Sequence, residues 1–196
     1  MDLLPVRRAI LSVTDKSGLA DFAAFLADNG VTLVSTGGTC AMLERAGLAV
    51  TGVSEVTGFP EIMGGRVKTL HPAIHGGILA DKENPEHMAA LREHGIEPFD
   101  LVCVNLYDFA LARQKKLEAR AAVEEIDIGG PCMLRAAAKN FHSVLVVPGP
   151  SFYARVRESL AANGMKATLG LRRELAAATF AETSRYDGMI ESYLAP

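Results

Sequence analysis

The chain has no tryptophan, only three cysteines, and no apolar run approaching the length of a membrane span. Cys40, Cys103 and Cys132 are odd in number and widely spaced, so they build neither a disulfide framework nor a CxxC metal or redox motif. The start is not basic and then apolar: Asp2, Pro5, Arg7 and Arg8 interrupt any leader-like pattern. Positive charge is not in excess either. Twenty Lys and Arg against 23 Asp and Glu leave a net charge of −3, which argues against a nucleic-acid or anionic-membrane partner while allowing a local basic pocket. These absences predict a reduced, cytoplasmic protein. What is present is ordinary for a globule, with 49% hydrophobic and 22% charged residues. A chain of 196 residues buries about 70% of its unfolded surface, enough for one core, so the expected organisation is a single domain over residues 1–196.

Four short aliphatic runs, Ala9–Val13, Val31–Val34, Leu101–Leu106 and Val144–Val147, are apolar nearly throughout rather than alternating. That pattern belongs to strands buried on both faces of a parallel sheet. Helical periodicity fills the intervals. Leu19, Phe22, Ala23 and Leu26 form an i, i+3, i+4, i+7 stripe that stops at Asn29-Gly30. Further helices are expected over Gly38–Ala46, Pro85–His94, Pro131–Asn140 and Ser151–Ala162, and around Leu171, Leu175 and Ala178. The alternation predicts an α/β fold, a three-layer α/β/α sandwich around a mostly parallel central sheet. Residues 51–81 show no clear periodicity and carry six of the 18 glycines, and read as a long functional loop.

Ligands of open parallel sheets bind beyond the C-terminal strand ends, and polar residues collect at three such ends here. Thr14, Asp15 and Lys16 follow the first strand, Ser35 to Thr39 the second, and Asn105 and Tyr107 the third. The Ser35-Thr36-Gly37-Gly38-Thr39 turn suits an anion, with close backbone approach at the glycines and hydroxyls beside a helix start, although a capped helix gives the same letters. Arg66 and Lys68 follow Gly64-Gly65 and suit a phosphate or an oxyanion. His71 and His75 are four apart, but Pro72 lies between them and neither an HExxH pattern nor a third ligand accompanies them, so no metal site is expected. Asp127 stands between Ile126 and Ile128 before a Gly-Gly turn. Arg135 and Lys139 share a helix face among alanines, where a partly buried Lys139 opposite Asp127 would suit proton transfer, and an ordinary surface lysine is the alternative.

Several strings together resemble the inosine-monophosphate cyclohydrolase domain of the bifunctional purine-biosynthesis enzymes, whose fold is methylglyoxal-synthase-like. They are Ser12 to Gly18, Ser35 to Thr39, Thr57-Gly58-Phe59-Pro60-Glu61, Gly64 to Pro72, Asn105-Leu106-Tyr107, Ile126 to Pro131 and Arg135 to Asn140. The resemblance covers nearly the whole chain. It implies dehydrative closure of 5-formamidoimidazole-4-carboxamide ribotide (FAICAR) to inosine monophosphate, without cofactor or metal. It further implies catalytic roles for Lys139, in proton transfer, for Asp127, in orienting the reacting groups, and for Lys68 and Tyr107, at the carboxamide or formyl oxygen. Substrate contacts are implied for Thr14, Asp15, Lys16, Thr36, Gly37, Gly38, Thr39, Arg66, Val67, Thr69, Asn105 and Ile128. The partner implied is a small purine ribotide, with a homodimer and a separate formyltransferase supplying FAICAR as further possible associations.

Two departures from the family pattern stand out. Asp108 replaces the proline that commonly follows the Asn-Leu-Tyr triplet, and the chain ends at Pro196, where the bifunctional enzymes continue. The expectation is therefore cyclohydrolase activity without formyl transfer. The alternatives of the same fold are a nucleotide-sensing module, which needs only the phosphate-end contacts, and a lyase acting on a triose phosphate, which leaves the Arg66–Pro72 loop and the Asp127/Lys139 pair without a use.

Overall fold

A computed structural model of the chain describes residues 1–107, 109 and 118–195. Its centre is a five-stranded parallel sheet of β2 (Arg8–Ser12), β3 (Thr32–Ser35), β4 (Val50–Gly52), β5 (Leu101–Val104) and β6 (Leu145–Val147), in the order β4-β3-β2-β5-β6. The chain winds outward from β2 through β3 to β4, then returns to the other side of β2 with β5 and β6. The crossover between β2 and β5 is thus the place where a ligand crevice opens beyond the strand ends. Register brings Leu11 level with both Ser35 and Cys103, so the polar segments that follow β2, β3 and β5 emerge on one rim.

Burial accounts for the aliphatic strands. Ile10, Leu11, Val102, Cys103 and Val146 are fully buried, because helices cover both sheet faces. One group comprises α1 (Leu19–Asp28), α2 (Gly37–Arg45) and α8 (Tyr153–Ala162), and the stacked rings of Phe22 and Tyr153, 4.5 Å between centroids, join α1 to α8. The other comprises α4 (Pro72–Leu79), α7 (Gly129–Lys139) and α9 (Leu169–Leu194). The smaller helices α3 (Val53–Thr57), α5 (Pro85–Glu93) and α6 (Ala119–Ala122) complete the described elements. Among the described residues no helix is long and apolar enough to cross a membrane.

Two features differ from the periodicity reading. Residues 51–81 are not one loop, since they hold the end of β4, α3, a 3₁₀ turn at Met63–Gly65 and α4. Helix α4 escapes detection because Gly76 and Gly77 sit inside it, and packing requires at least the second. A Cβ on Gly77 would lie 2.8 Å from the Glu97 carbonyl oxygen and 3.0 Å from the Phe99 ring. The second difference is a two-stranded antiparallel ribbon, β1 (Leu3–Pro5) with β7 (Lys166–Thr168), whose three-residue strands are too short to show a period.

Arg172 of α9 ties the chain's two ends together. It is fully buried, and its guanidinium donates to the carbonyls of Phe141 (3.0 Å), His142, Met1 (2.6 Å) and Asp2 (3.4 Å). Arg172→Met keeps the aliphatic volume but strands those carbonyls. Urea denaturation should therefore show a loss of roughly 3 kcal/mol, against near-neutrality for an exposed arginine such as Arg155.

Candidate active site

The rim is built first by hydroxyls and an amide that hold backbone. The Asn105 side chain accepts from the Thr14 and Asp15 amides (2.6 and 3.1 Å) and donates to the Asp15 carbonyl (2.8 Å), which locks the turn after β2 to the end of β5. Asp15 accepts from the Ser17 amide at 2.9 Å, and hydrogen bonds from Ser17 hold its carboxyl below the usual range. Lys16 is exposed, with its ammonium 3.5 Å from the Thr14 carbonyl.

The turn after β3 is equally engaged. Buried Ser35 donates to the Leu11 carbonyl (2.7 Å), Thr36 shares a hydrogen bond with Ser12 (2.7 Å), and Thr39 both accepts from the Val13 amide (3.1 Å) and donates to its carbonyl (3.0 Å). The hydroxyls that the sequence offered as anion donors are thus occupied in joining α2 to β2. Open to solvent are the Gly37 and Gly38 amides at the start of α2, with nothing within 4 Å of a Cβ placed on either. Backbone donors, not hydroxyls, are what this turn can offer an anion.

The glycine-rich segment folds back on itself. Ile62 and Val67 form an antiparallel bridge, and Met63, Gly64 and Gly65 between them take φ of 55°, 63° and 93°. Gly65 would be strained by any side chain at that φ. The reversal brings half-buried Lys68 into a cleft of about 430 Å³ that Thr36, Gly37, Cys40, Glu44 and Glu61 also line. Arg66 points elsewhere. It is exposed and holds Glu124 with two hydrogen bonds, Nε to Oε2 at 3.1 Å and Nη2 to Oε1.

The Asp127 segment explains its glycines. A Cβ on Gly129 would lie 2.5 Å from the hydroxyl of buried Thr69, and one on Gly130 would lie 2.3 Å from Asp127 Oδ2 and 3.1 Å from Leu106 Cδ2. The start of α7 can therefore approach both Thr69 and Asp127 only because neither position carries a side chain. Asp127 accepts from the Gly130 amide at 2.9 Å, and its own amide donates to the Tyr186 hydroxyl at 2.8 Å. Burial raises the Asp127 carboxyl above its ordinary range, opposed by the Gly130 amide and by the Lys68 ammonium, which couples it to the cleft. Burial also pushes the Tyr186 phenol up to about 12, with Asp127 and Tyr107 among the neighbouring groups. Tyr107 and Ile128 are exposed at 40% and 56%, on the open side of this cluster. Asp108 lies outside the described residues.

The predicted residues thus separate. Thr36, Gly37 and Lys68 share the first cleft, with Gly38 beside them and Thr39 behind, and Val67 is held in the bridge. Asp15 and Asn105 open onto a second cleft of about 480 Å³, beside the Pro148–Phe152 turn, with Thr14 and Lys16 adjoining. Thr69, Asp127, Ile128 and Tyr107 gather at the start of α7, reached electrostatically by Lys68. Lys139 does not join them. It is exposed at the last position of α7, about 15 Å along the axis from the first, so the expected partly buried Lys139 opposite Asp127 is corrected. The small alanines on α7 (Ala136, Ala137, Ala138) are buried against its neighbours, while the lysine that follows them is left at the surface. Glu61, Glu124 and Tyr186 were missed. Glu61 had a signal in its place before the glycine pair, whereas Glu124 and Tyr186 reach the site from 58 and 59 residues away from their partners. Among the described residues no three His, Cys, Asp or Glu side chains are grouped to hold a metal ion.

Comparison with known proteins places this geometry. The family model described as MGS-like domain matches residues 18–132, more than half of the chain, and the model described as AICARFT/IMPCHase bienzyme matches residues 137–196. The bifunctional purine biosynthesis proteins PurH of Chelativorans sp. (strain BNC1) and Mesorhizobium japonicum are each 55% identical over 194 residues, and that of Rhodospirillum rubrum is 52% identical over 190. These alignments take in 97–99% of this chain but 36% of each relative, so the chain spans little more than a third of their length. Among solved structures, the crystal structure of ForH superposes with a TM-score of 0.84 at 34% identity, covering 94% of each chain. The sheet order, the glycine-built rim and these matches lead to one assignment: the chain belongs to the family of MGS-like domains.

Proposed function

We propose that the chain, acting as one domain over residues 1–196, is an inosine-monophosphate cyclohydrolase that closes the second purine ring of FAICAR with loss of water. The observation that carries this reading is the coupling of Lys68 to a half-buried Asp127 beside a cleft whose other end is the open amide turn of α2. The ribotide phosphate takes the Gly37 and Gly38 amides, with the Lys16 ammonium at the rim. The heterocycle lies toward Lys68. Both reacting groups belong to one molecule, so holding the carboxamide nitrogen against the formyl carbon supplies part of the acceleration.

The remaining barrier is proton movement. As the nitrogen–carbon bond forms, the carboxamide nitrogen gives a proton to Asp127 and the formyl oxygen takes one from the Lys68 ammonium. In the second stage the carbinol oxygen takes the proton back from Asp127 and leaves as water, while the formamido nitrogen returns a proton to Lys68. Each group ends as it began. Tyr107, exposed near Tyr186, donates a hydrogen bond to the developing oxyanion. Within one chain Lys139 has no step in this relay. The FAICAR itself comes from a formyl transfer of the kind the bienzyme description names.

Incubation of the purified chain with FAICAR, followed by ultraviolet absorbance, tests the reading: a purine spectrum is expected, and its absence at saturating substrate overturns the proposal. Lys68→Ala and Asp127→Asn should each lower kcat by roughly 10²–10⁴-fold. Protonated Asp127 cannot accept, so turnover should fall as pH drops through a limb displaced above the ordinary carboxylate value of about 4, and Asp127→Asn should abolish that limb. The sign for stability is opposite. A carboxyl raised by folding costs native stability as pH rises through its titration, so Asp127→Asn should melt no lower than the parent at neutral pH. Gly130→Ala, whose methyl group would displace Asp127, should lower kcat more than it changes KM.

A further inference from the structure

In the first cleft Glu61 shares a small volume with Lys68. A Cβ built on Gly65 would lie 2.9 Å from Glu61 Oε1 and 4.0 Å from Lys68 Nζ, so both charged tips reach the space left by the missing side chain. Yet they form no ion pair with one another, and Glu61 has no hydrogen-bond partner among the described residues. Opposite charges held near each other without closing present an acceptor and a donor side by side. A ring lactam turns an N–H toward that acceptor, whereas an amidine edge that offers a lone pair on its ring nitrogen does not.

Resting on the ribotide reading above, we infer that Glu61 is a specificity-determining residue that accepts the hydrogen carried by the ring nitrogen of the six-membered ring, the nitrogen bonded to the carbon whose oxygen Lys68 protonates. The carboxamide nitrogen of the substrate keeps this hydrogen throughout ring closure, so the same contact serves substrate and product. It positions the nitrogen and leaves its second hydrogen for transfer. A carboxylate here also repels a ring nitrogen that carries a lone pair, which disfavours 6-amino purine ribotides by setting two acceptors against each other. The glycine at position 65 is then needed twice, once for its φ of 93° and once to admit the carboxylate.

Calorimetric titration of the whole chain with inosine monophosphate and with adenosine monophosphate tests this. The parent should bind the inosine form at least tenfold more tightly. Glu61→Gln can turn its amide to donate as well as accept, so it should weaken the inosine form by about fivefold and leave the adenosine form unchanged or tighter. The preference should thereby shrink by at least fivefold. A merely structural role would weaken both ligands together, and Glu61→Gln retaining the parent preference overturns the inference while leaving the cyclohydrolase reading intact. A parent that binds both equally also overturns it. A parent that binds neither overturns the ribotide reading itself. Glu61→Ala serves as the second variant: it should lose the preference without gaining a donor, and should melt with the parent because Glu61 is exposed.

Discussion

The site depends on a steric permission at the start of α7. Two glycines, Gly129 and Gly130, let Thr69 and Asp127 pack where a methyl group would overlap their oxygens. That close approach sets Asp127 under enough protein to raise its pKa while the Gly130 amide keeps it partly satisfied. It also fixes the segment that carries Lys68, since Thr69 is buried against the helix start and Lys68 precedes it. A carboxyl in the same place without those glycines would be pushed into solvent, where it would lose both its elevated pKa and its ammonium neighbour.

The electrostatic design around this contact is economical. The net charge of the chain is slightly negative, yet Lys68 has two carboxylates near it, half-buried Asp127 and exposed Glu61. Neither closes on it as an ion pair, so the ammonium is available to a ligand instead of being consumed by a static bridge. Arg66 contrasts with its neighbour. It is neutralised by Glu124 at the surface, in a two-bond pair that an incoming anion would have to displace. Of the two adjacent cations the sequence offered together, the fold keeps one free in the cleft and commits the other.

Much of this was legible beforehand for a physical reason. Continuous aliphatic runs report strands covered on both faces, so β2, β3, β5 and β6 could be read from apolar spacing, and α1, α2, α5, α7, α8 and α9 from apolar stripes and helix-end residues. The three-residue strands β1, β4 and β7 carry no measurable period, and α4 hides behind Gly76 and Gly77, whose absent side chains matter only once Glu97 and Phe99 are in place. In the site, Lys68 after a glycine pair and Asp127 between two isoleucines were legible as candidates, and the structure brings them within electrostatic reach of one another. The position of Lys139 was not, because helical spacing fixes its angle relative to its neighbours but not which end of α7 meets the crevice. Thr36 and Thr39 illustrate the remaining ambiguity. A hydroxyl after a strand reads as a ligand donor, but here both cross to β2 and its following turn.

The ribbon of β1 and β7, with Arg172 gripping the carbonyls of Met1 and Asp2, gives the chain an order of assembly. A ribosome delivers the first strand long before its partner. At synthesis rates of about 5–20 residues per second, residues 3–5 wait roughly 10–30 s for residues 166–168. During that interval β2 and β3, which are near neighbours in sequence, can already meet over α1, whereas the leading segment has no strand to join. This is the most distant strand pairing among the described residues, and loop-closure entropy makes it the last to be rewarded. The edge that β1 will present to β7 therefore stays open while the residues between them are made, and that interval is when it is most exposed to pairing with another copy.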